Sequence, residues 1–303
     1  MPPVRSLMKR LAKIVFALLF VAVSAGLVWL YTMPPDLLRV GSGYAAKIVC
    51  SNVFLAGRDE SHVLADDVQA PGHPLLRLMR VSVDRPAQRV SAALLGHIAP
   101  SVAVYRPGLG CAVVPEGAEA ADLGAVEKTP VAPGRPTEAW PQGEAVKAEA
   151  AVTALLARDD LVGPGFRAVV VGKDGAIVGE RYGPGFGPTT PLLGWSMTKT
   201  VTGALVATRI AEGKLTYDQD KLFPEWTDDR ASIKISDLLA MQSGLDLEET
   251  YGDVNDVTRM LFLEADQARF VEEKPLEAQP GQKWEYTTGT AVLLTRIWMN
   301  TFA

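Results

Sequence analysis

The sequence predicts an α+β domain, an antiparallel sheet with a helical cluster, carried behind one N-terminal membrane-crossing helix. Three observations lead there. A charge-free apolar run, Ile14 to Leu30, follows the basic residues Arg5, Lys9, Arg10 and Lys13. Two short β-type runs, Arg167–Val171 and Ala176–Arg181, flank Lys173-Asp174-Gly175, and Asp-Gly is a strong hairpin signal. A long helical pattern then runs from Ser196 to Ala211 and is closed by Gly213. The composition agrees with a folded chain: of 303 residues, 48% are hydrophobic and 21% charged, which excludes general disorder and a polytopic membrane protein. A formal charge of -5 gives no basic excess to hold nucleic acid.

At 17 residues the apolar run is near the lower limit of a spanning helix, and Tyr31 to Met33 extend it. Trp29 and Tyr31 sit where an interfacial aromatic belt belongs. Basic residues ahead of the run keep the N-terminus cytoplasmic and send everything after Pro34 outward. The expected location is therefore the inner membrane, single-pass, with the main domain in the periplasm or another extracytoplasmic space. Ser24-Ala25-Gly26 offers a signal-peptidase site as the competing reading, but Trp29-Leu30-Tyr31 continues the membrane pattern past it. Beyond residue 35 the chain has 26 basic and 35 acidic residues, a formal charge of -9. In an oxidising compartment Cys50 and Cys111 are expected to pair, closing a loop of about 60 residues, with two buried thiols as the alternative.

After residues 1–35 as cytoplasmic stub and anchor, residues 36–106 form a small N-terminal region. In it Ala45–Phe54 is helix or strand and Arg77–Val83 a strand. His62, His73 and His97 all lie here, at spacings of 11 and 24 residues that fit no common zinc pattern. Residues 107–143 contain six prolines and six glycines and read as a linker. Residues 144–303 form the main domain, opening with a helix over Glu144–Arg158. Ser236 reads as the cap of a helix over Asp237–Met241, and Ala291–Met299 as a further helix.

Ser196-Met197-Thr198-Lys199 carries the chemistry. On a helix, residues three apart share a face, so the hydroxyl and the amine can meet, and a neutral amine can take the serine proton. A helix N-terminus also favours a developing oxyanion. The pattern alone is weak, since Ser6-Leu7-Met8-Lys9 matches it as well. Context singles out Ser196, which follows the strand-like Pro191–Trp195 and opens a long helix. Tyr286-Thr287-Thr288-Gly289, after the Pro280-Gly281 turn, brings a phenol able to shuttle a proton. Trp195 reads as packing, and Asp246, Glu248 and Glu249 as a solvated acidic surface.

Taken in order, these elements resemble the penicillin-recognising serine hydrolases: class C β-lactamases, D-Ala-D-Ala carboxypeptidases, related esterases and nylon-oligomer hydrolases. The resemblance covers about residues 140–303, strongest in WSMTKTVTGALVATRIAEGKL, ISDLLAMQSGLDL and PGQKWEYTTGTAVLLTRI. It implies a β-lactamase/transpeptidase-like fold, Ser196 as nucleophile, Lys199 as base, Tyr286 as proton relay and Thr288 as a substrate-binding residue. Thr288 stands where the family has Ser or Asn, and its hydroxyl can still donate and accept. The family's last element, a Lys/His-Thr/Ser-Gly strand, is expected well beyond Tyr286, so the resemblance also implies a C-terminally incomplete domain.

The expected function is an exported, membrane-anchored serine hydrolase that opens a small amide, ester or peptide-like substrate through a Ser196 acyl-enzyme. It needs no metal or organic cofactor, and its partners are that substrate and, through the N-terminal helix, the membrane. Two alternatives are an inactive relative with a binding role only, and a metal-dependent hydrolase built on the three histidines.

Overall fold

The structure is a computed structural model and describes residues 4–70, 72–123, 138–143 and 145–302. Helix α1, Val4–Thr32, contains the 25-residue stretch Met8–Thr32, long and apolar enough to cross a membrane, and none of that stretch is buried. A signal sequence has the same properties. Pro34-Pro35 interrupts the backbone ladder, and α2, Asp36–Phe54, starts anew. The apolar segment predicted over Ala45–Phe54 is thus the second half of a longer helix.

A short α3, Glu60–Val63, is capped by the Asp59 carboxylate, and an antiparallel meander follows. Its strands are β1 (Met79–Asp84), β2 (Arg89–Leu94), β3 (Ile98–Arg106) and β4 (Gly110–Val113), paired in that order. Helix α2 lies across β2 and β3. Its inner face buries Ala45, Ala46, Ile48, Val49, Cys50 and Val53 against Val90, Ala92 and Ala103. Each fully buried Ile or Val there contributes about 1.5–3 kcal/mol. Cys50 on α2 is bonded to Cys111 on β4, stapling the helix to the edge strand.

The predicted linker begins too early. Residues 107–109 form the β3–β4 turn and 110–113 are strand, because Tyr105 pairs with Cys111. Within the rest of the predicted linker, residues 124–137 lie outside the described residues.

The main unit opens differently from the prediction too. Residue 144 is likewise outside the described residues, and α4 spans only Ala150–Leu156. The five residues before it are extended because the Lys147 and Glu149 N–H groups donate to Ile177 and Val178 carbonyls on β6. A tertiary sheet contact overrides helix propensity there. Strands β5 (Ala168–Lys173) and β6 (Ala176–Tyr182) form the expected hairpin, with Asp174 and Gly175 both at positive φ. The helical cluster follows: α5 (Thr198–Ala211), α6 (Ile235–Leu239), α7 (Asp256–Phe262), α8 (Gln267–Glu272) and α9 (Thr288–Asn300). Ser236 lies inside α6; its first turn is closed by the Asp237 carboxylate, which accepts from the Lys234 N–H. A second core fills this cluster, with Val206, Trp226, Ile233, Leu238, Met260, Val271, Leu293 and Ile297.

The two units touch at several points, among them Gly43 and Asp67. Gly43 lets α2 approach the end of α7, where a Cβ on Gly43 would lie 3.3 Å from Phe262 Cβ. Nearby, the buried Asp67 carboxylate is paired with Arg58 at 2.7 Å and with Arg167 of the main unit. Both guanidinium groups sit over the Phe186 ring, at 5.1 and 5.7 Å from its centroid.

Removing the carboxylate strands two cations beside each other. Asp67→Ala is therefore expected to lower unfolding stability by about 3–5 kcal/mol, read as a lower urea midpoint. An unchanged midpoint would show that Asp67 does not join the units.

Candidate active site

The site is built where two helix N-termini converge. Gly194 leads into a single 3₁₀ turn, Trp195–Met197, which runs directly into α5. This places Ser196 at the head of the helix and Lys199 in its first turn. Trp195 has φ +43°, a left-handed conformation uncommon for a bulky residue. It therefore marks local backbone strain immediately before the serine.

Tyr286 and Thr288 arrive on the other strand of chain. Gly281 N–H donates to Gln242 O and Glu285 N–H to Met241 O, so residues 281–285 run beside 241–244. Thr288 then becomes the first residue of α9.

The Lys199 amine is the centre of the group. It donates to Ser196 Oγ at 3.2 Å and to Thr288 Oγ1 at 3.1 Å, and lies 4.7 Å from the centroid of the Tyr286 ring. Thr288 Oγ1 accepts from Lys199 and in turn donates to Glu249. Glu249 also accepts from the Thr288 N–H at 2.8 Å and from the Tyr251 hydroxyl at 3.1 Å. The structure thus brings Ser196, Lys199, Tyr286 and Thr288 together.

Glu249 departs from the sequence expectation: it is half-buried and tied to the first residue of α9. An acid followed by no charged partner in sequence gave no signal of this. Its position comes from tertiary pairing. Leu245 bridges Leu276, and Glu277 N–H donates to Gly244 O. Gly244 permits that pairing: its φ is +73°, and a Cβ there would lie 2.2 Å from Ala278 O. Asp246 and Glu248 remain exposed.

Trp195, expected to pack, stacks on Tyr44 of the N-terminal unit, 6.4 Å between centroids, while remaining 53% exposed. Cys50 and Cys111 stay within the N-terminal unit, apart from the serine. The three histidines are exposed there and take no part in this group. Among the described residues no set of three His, Cys, Asp or Glu side chains is grouped to hold a metal ion.

The Tyr286 phenol feels opposing influences. Burial raises its pKa, but hydrogen bonds with Lys199 and Ser196 and the Lys199 charge prevail over burial and Glu249, and hold it below the usual tyrosine value. The difference in phenolate absorbance between the protein and its Tyr286→Phe variant is thus expected to titrate below 10. Lys199→Met should move that transition upward, and Glu249→Gln downward. A transition indifferent to Lys199 would contradict this electrostatic picture.

A family model described as Beta-lactamase matches residues 148–299, half of the chain. No curated protein matches. Among solved structures, a Bacillus anthracis protein provisionally assigned as a 6-aminohexanoate-dimer hydrolase is similar at 19% identity. The match covers 45% of this chain and 40% of that one, with a TM-score of 0.37. The chain thus spans less than half the length of that protein. Its mixed α and antiparallel β fold is of the β-lactamase/transpeptidase type, and the chain belongs to the β-lactamase family of hydrolases.

Proposed function

We propose that this chain is a serine hydrolase that cleaves an amide or ester through an acyl-enzyme on Ser196. The observation carrying the proposal is the Lys199 amine within hydrogen-bond reach of both Ser196 Oγ and Thr288 Oγ1. With the amine neutral, the Ser196–Lys199 line carries the hydroxyl proton to Nζ as Oγ attacks the substrate carbonyl. The tetrahedral oxyanion forms near the head of α5, where the helix dipole favours negative charge. Tyr286, whose ring lies beside the Lys199 amine, passes the proton to the departing amine or alcohol. Collapse breaks the carbonyl–leaving-group bond and leaves an ester on Ser196. Water, activated by the same groups, then hydrolyses that ester, releases the acid and restores the serine hydroxyl.

Thr288 and Glu249 act as positioning residues. Glu249 orients the Thr288 hydroxyl so that its lone pairs face Lys199, which fixes the amine between the two helices. This division of roles needs no metal or organic cofactor.

We further propose that α1 remains as a single-pass anchor in the inner membrane, with its N-terminus in the cytoplasm and the catalytic unit in the periplasm. Arg5, Lys9, Arg10 and Lys13 ahead of the apolar run support that orientation. The Cys50–Cys111 bond accords with an oxidising compartment.

With an activated phenyl ester as substrate, Lys199→Met is expected to lower kcat/KM by about 100- to 10,000-fold, the range for a general base. Glu249→Gln should fall between that variant and the parent, chiefly in kcat. Parent-like activity in Lys199→Met would overturn the assigned mechanism.

A further inference from the structure

A cavity of about 470 Å³ lies between the N-terminal unit and the catalytic cluster. Leu37, Val40, Leu75 and Leu76 form its N-terminal wall, and Leu261 and Phe262 its catalytic wall. Two further lining residues connect it to the serine. Trp195 precedes Ser196 directly, and its strained backbone carries the indole onto Tyr44, which also lines the cavity. Tyr251 lines it as well and hydrogen-bonds the Glu249 carboxylate that holds Thr288.

Resting on the serine-hydrolase reading above, we propose that this cavity receives the acyl group of the substrate, and that the acyl group is apolar and uncharged. Size and lining fit such a group. Among the described residues its charged or titratable lining is Asp253, His73, Tyr44 and Tyr251, with no lysine or arginine, and the Asp253 carboxylate would repel a carboxylate tail. A second cavity touching Trp195, of about 480 Å³, contains Lys47 and Glu264 and is the poorer match for a hydrocarbon chain. Placement agrees as well. Leu37 follows the end of α1 at Thr32 by five residues, so an α1 lodged in a bilayer would hold the cavity beside the lipid headgroups, where acyl esters are concentrated. The N-terminal unit, outside the span matched by the family model, is thereby a specificity element of the active site.

The test uses the 4-nitrophenyl esters of acetate, butyrate, hexanoate and octanoate. For the parent, kcat/KM is expected to rise by about two- to fourfold per methylene until the cavity is filled. Leu37→Trp, which adds bulk inside the cavity, should flatten the series, with the largest loss on the longest ester. Binding of the same esters to Ser196→Ala, followed by tryptophan fluorescence, gives a readout that needs no turnover. It should tighten with chain length and lose that dependence when Leu37→Trp is added. A chain-length dependence of binding without hydrolysis of any ester would refute the serine-hydrolase reading and support the cavity's assignment. Acetate turnover with chain-length-independent rates and binding would do the reverse. An unchanged chain-length profile in Leu37→Trp would also overturn the assignment.

Discussion

The Lys199 amine ties together the heads of α5 and α9, two helices that also pack through the second core and through Arg209 on Thr301. It contacts a hydroxyl at the head of α5 and another at the head of α9, residues separated by about ninety positions. An ammonium or amine with fewer partners would be free to reach solvent on its flexible stem. Here the second hydroxyl removes that freedom, and Glu249 fixes the second hydroxyl in turn. The placement of the Lys199 amine is therefore tied, through Thr288 and Glu249, to the segment of residues 244–249. Gly244 is the local condition for this arrangement, because a side chain there would collide with the Ala278 carbonyl.

The N-terminal unit is coupled to the same site by different physics. Its own stability comes from a helix laid across an antiparallel meander and from the Cys50–Cys111 staple. Its attachment comes from Asp67, a buried carboxylate shared by Arg58 and Arg167, with Phe186 beneath both cations. Such a shared ion pair fixes geometry more than it adds stability. The geometry matters because Tyr44 accepts the Trp195 indole next to the serine. Docking of the two units and the backbone strain before Ser196 are thus parts of one arrangement.

Local signals were legible where a residue acts through its neighbours in sequence. The apolar run of α1, the Asp-Gly hairpin and the Ser-to-Lys spacing across the turn into α5 follow from local composition, turn chemistry and helical spacing, and all appear in the fold. Elements decided by distant contacts were not legible. The run before α4 has helix-forming residues, yet β6 draws it into an extended pairing. The sheet of the N-terminal unit was largely hidden, since β3 contains Pro100 and β4 lies in a stretch with linker composition. Glu249 has the same cause: its role depends on which carbonyls pair with residues 275–278, and sequence spacing does not encode that. Trp195 was legible as a neighbour of the serine, but its partner Tyr44 is about 150 positions away in the chain.

Intact-mass measurement after brief exposure to an activated ester, beside a Ser196→Ala control, tests the acyl-enzyme most directly. A gain equal to one acyl group in the parent, absent from the control, is the predicted result. A folded parent that acquires no mass, or a control that acquires the same mass, would contradict the assignment of Ser196 as the nucleophile.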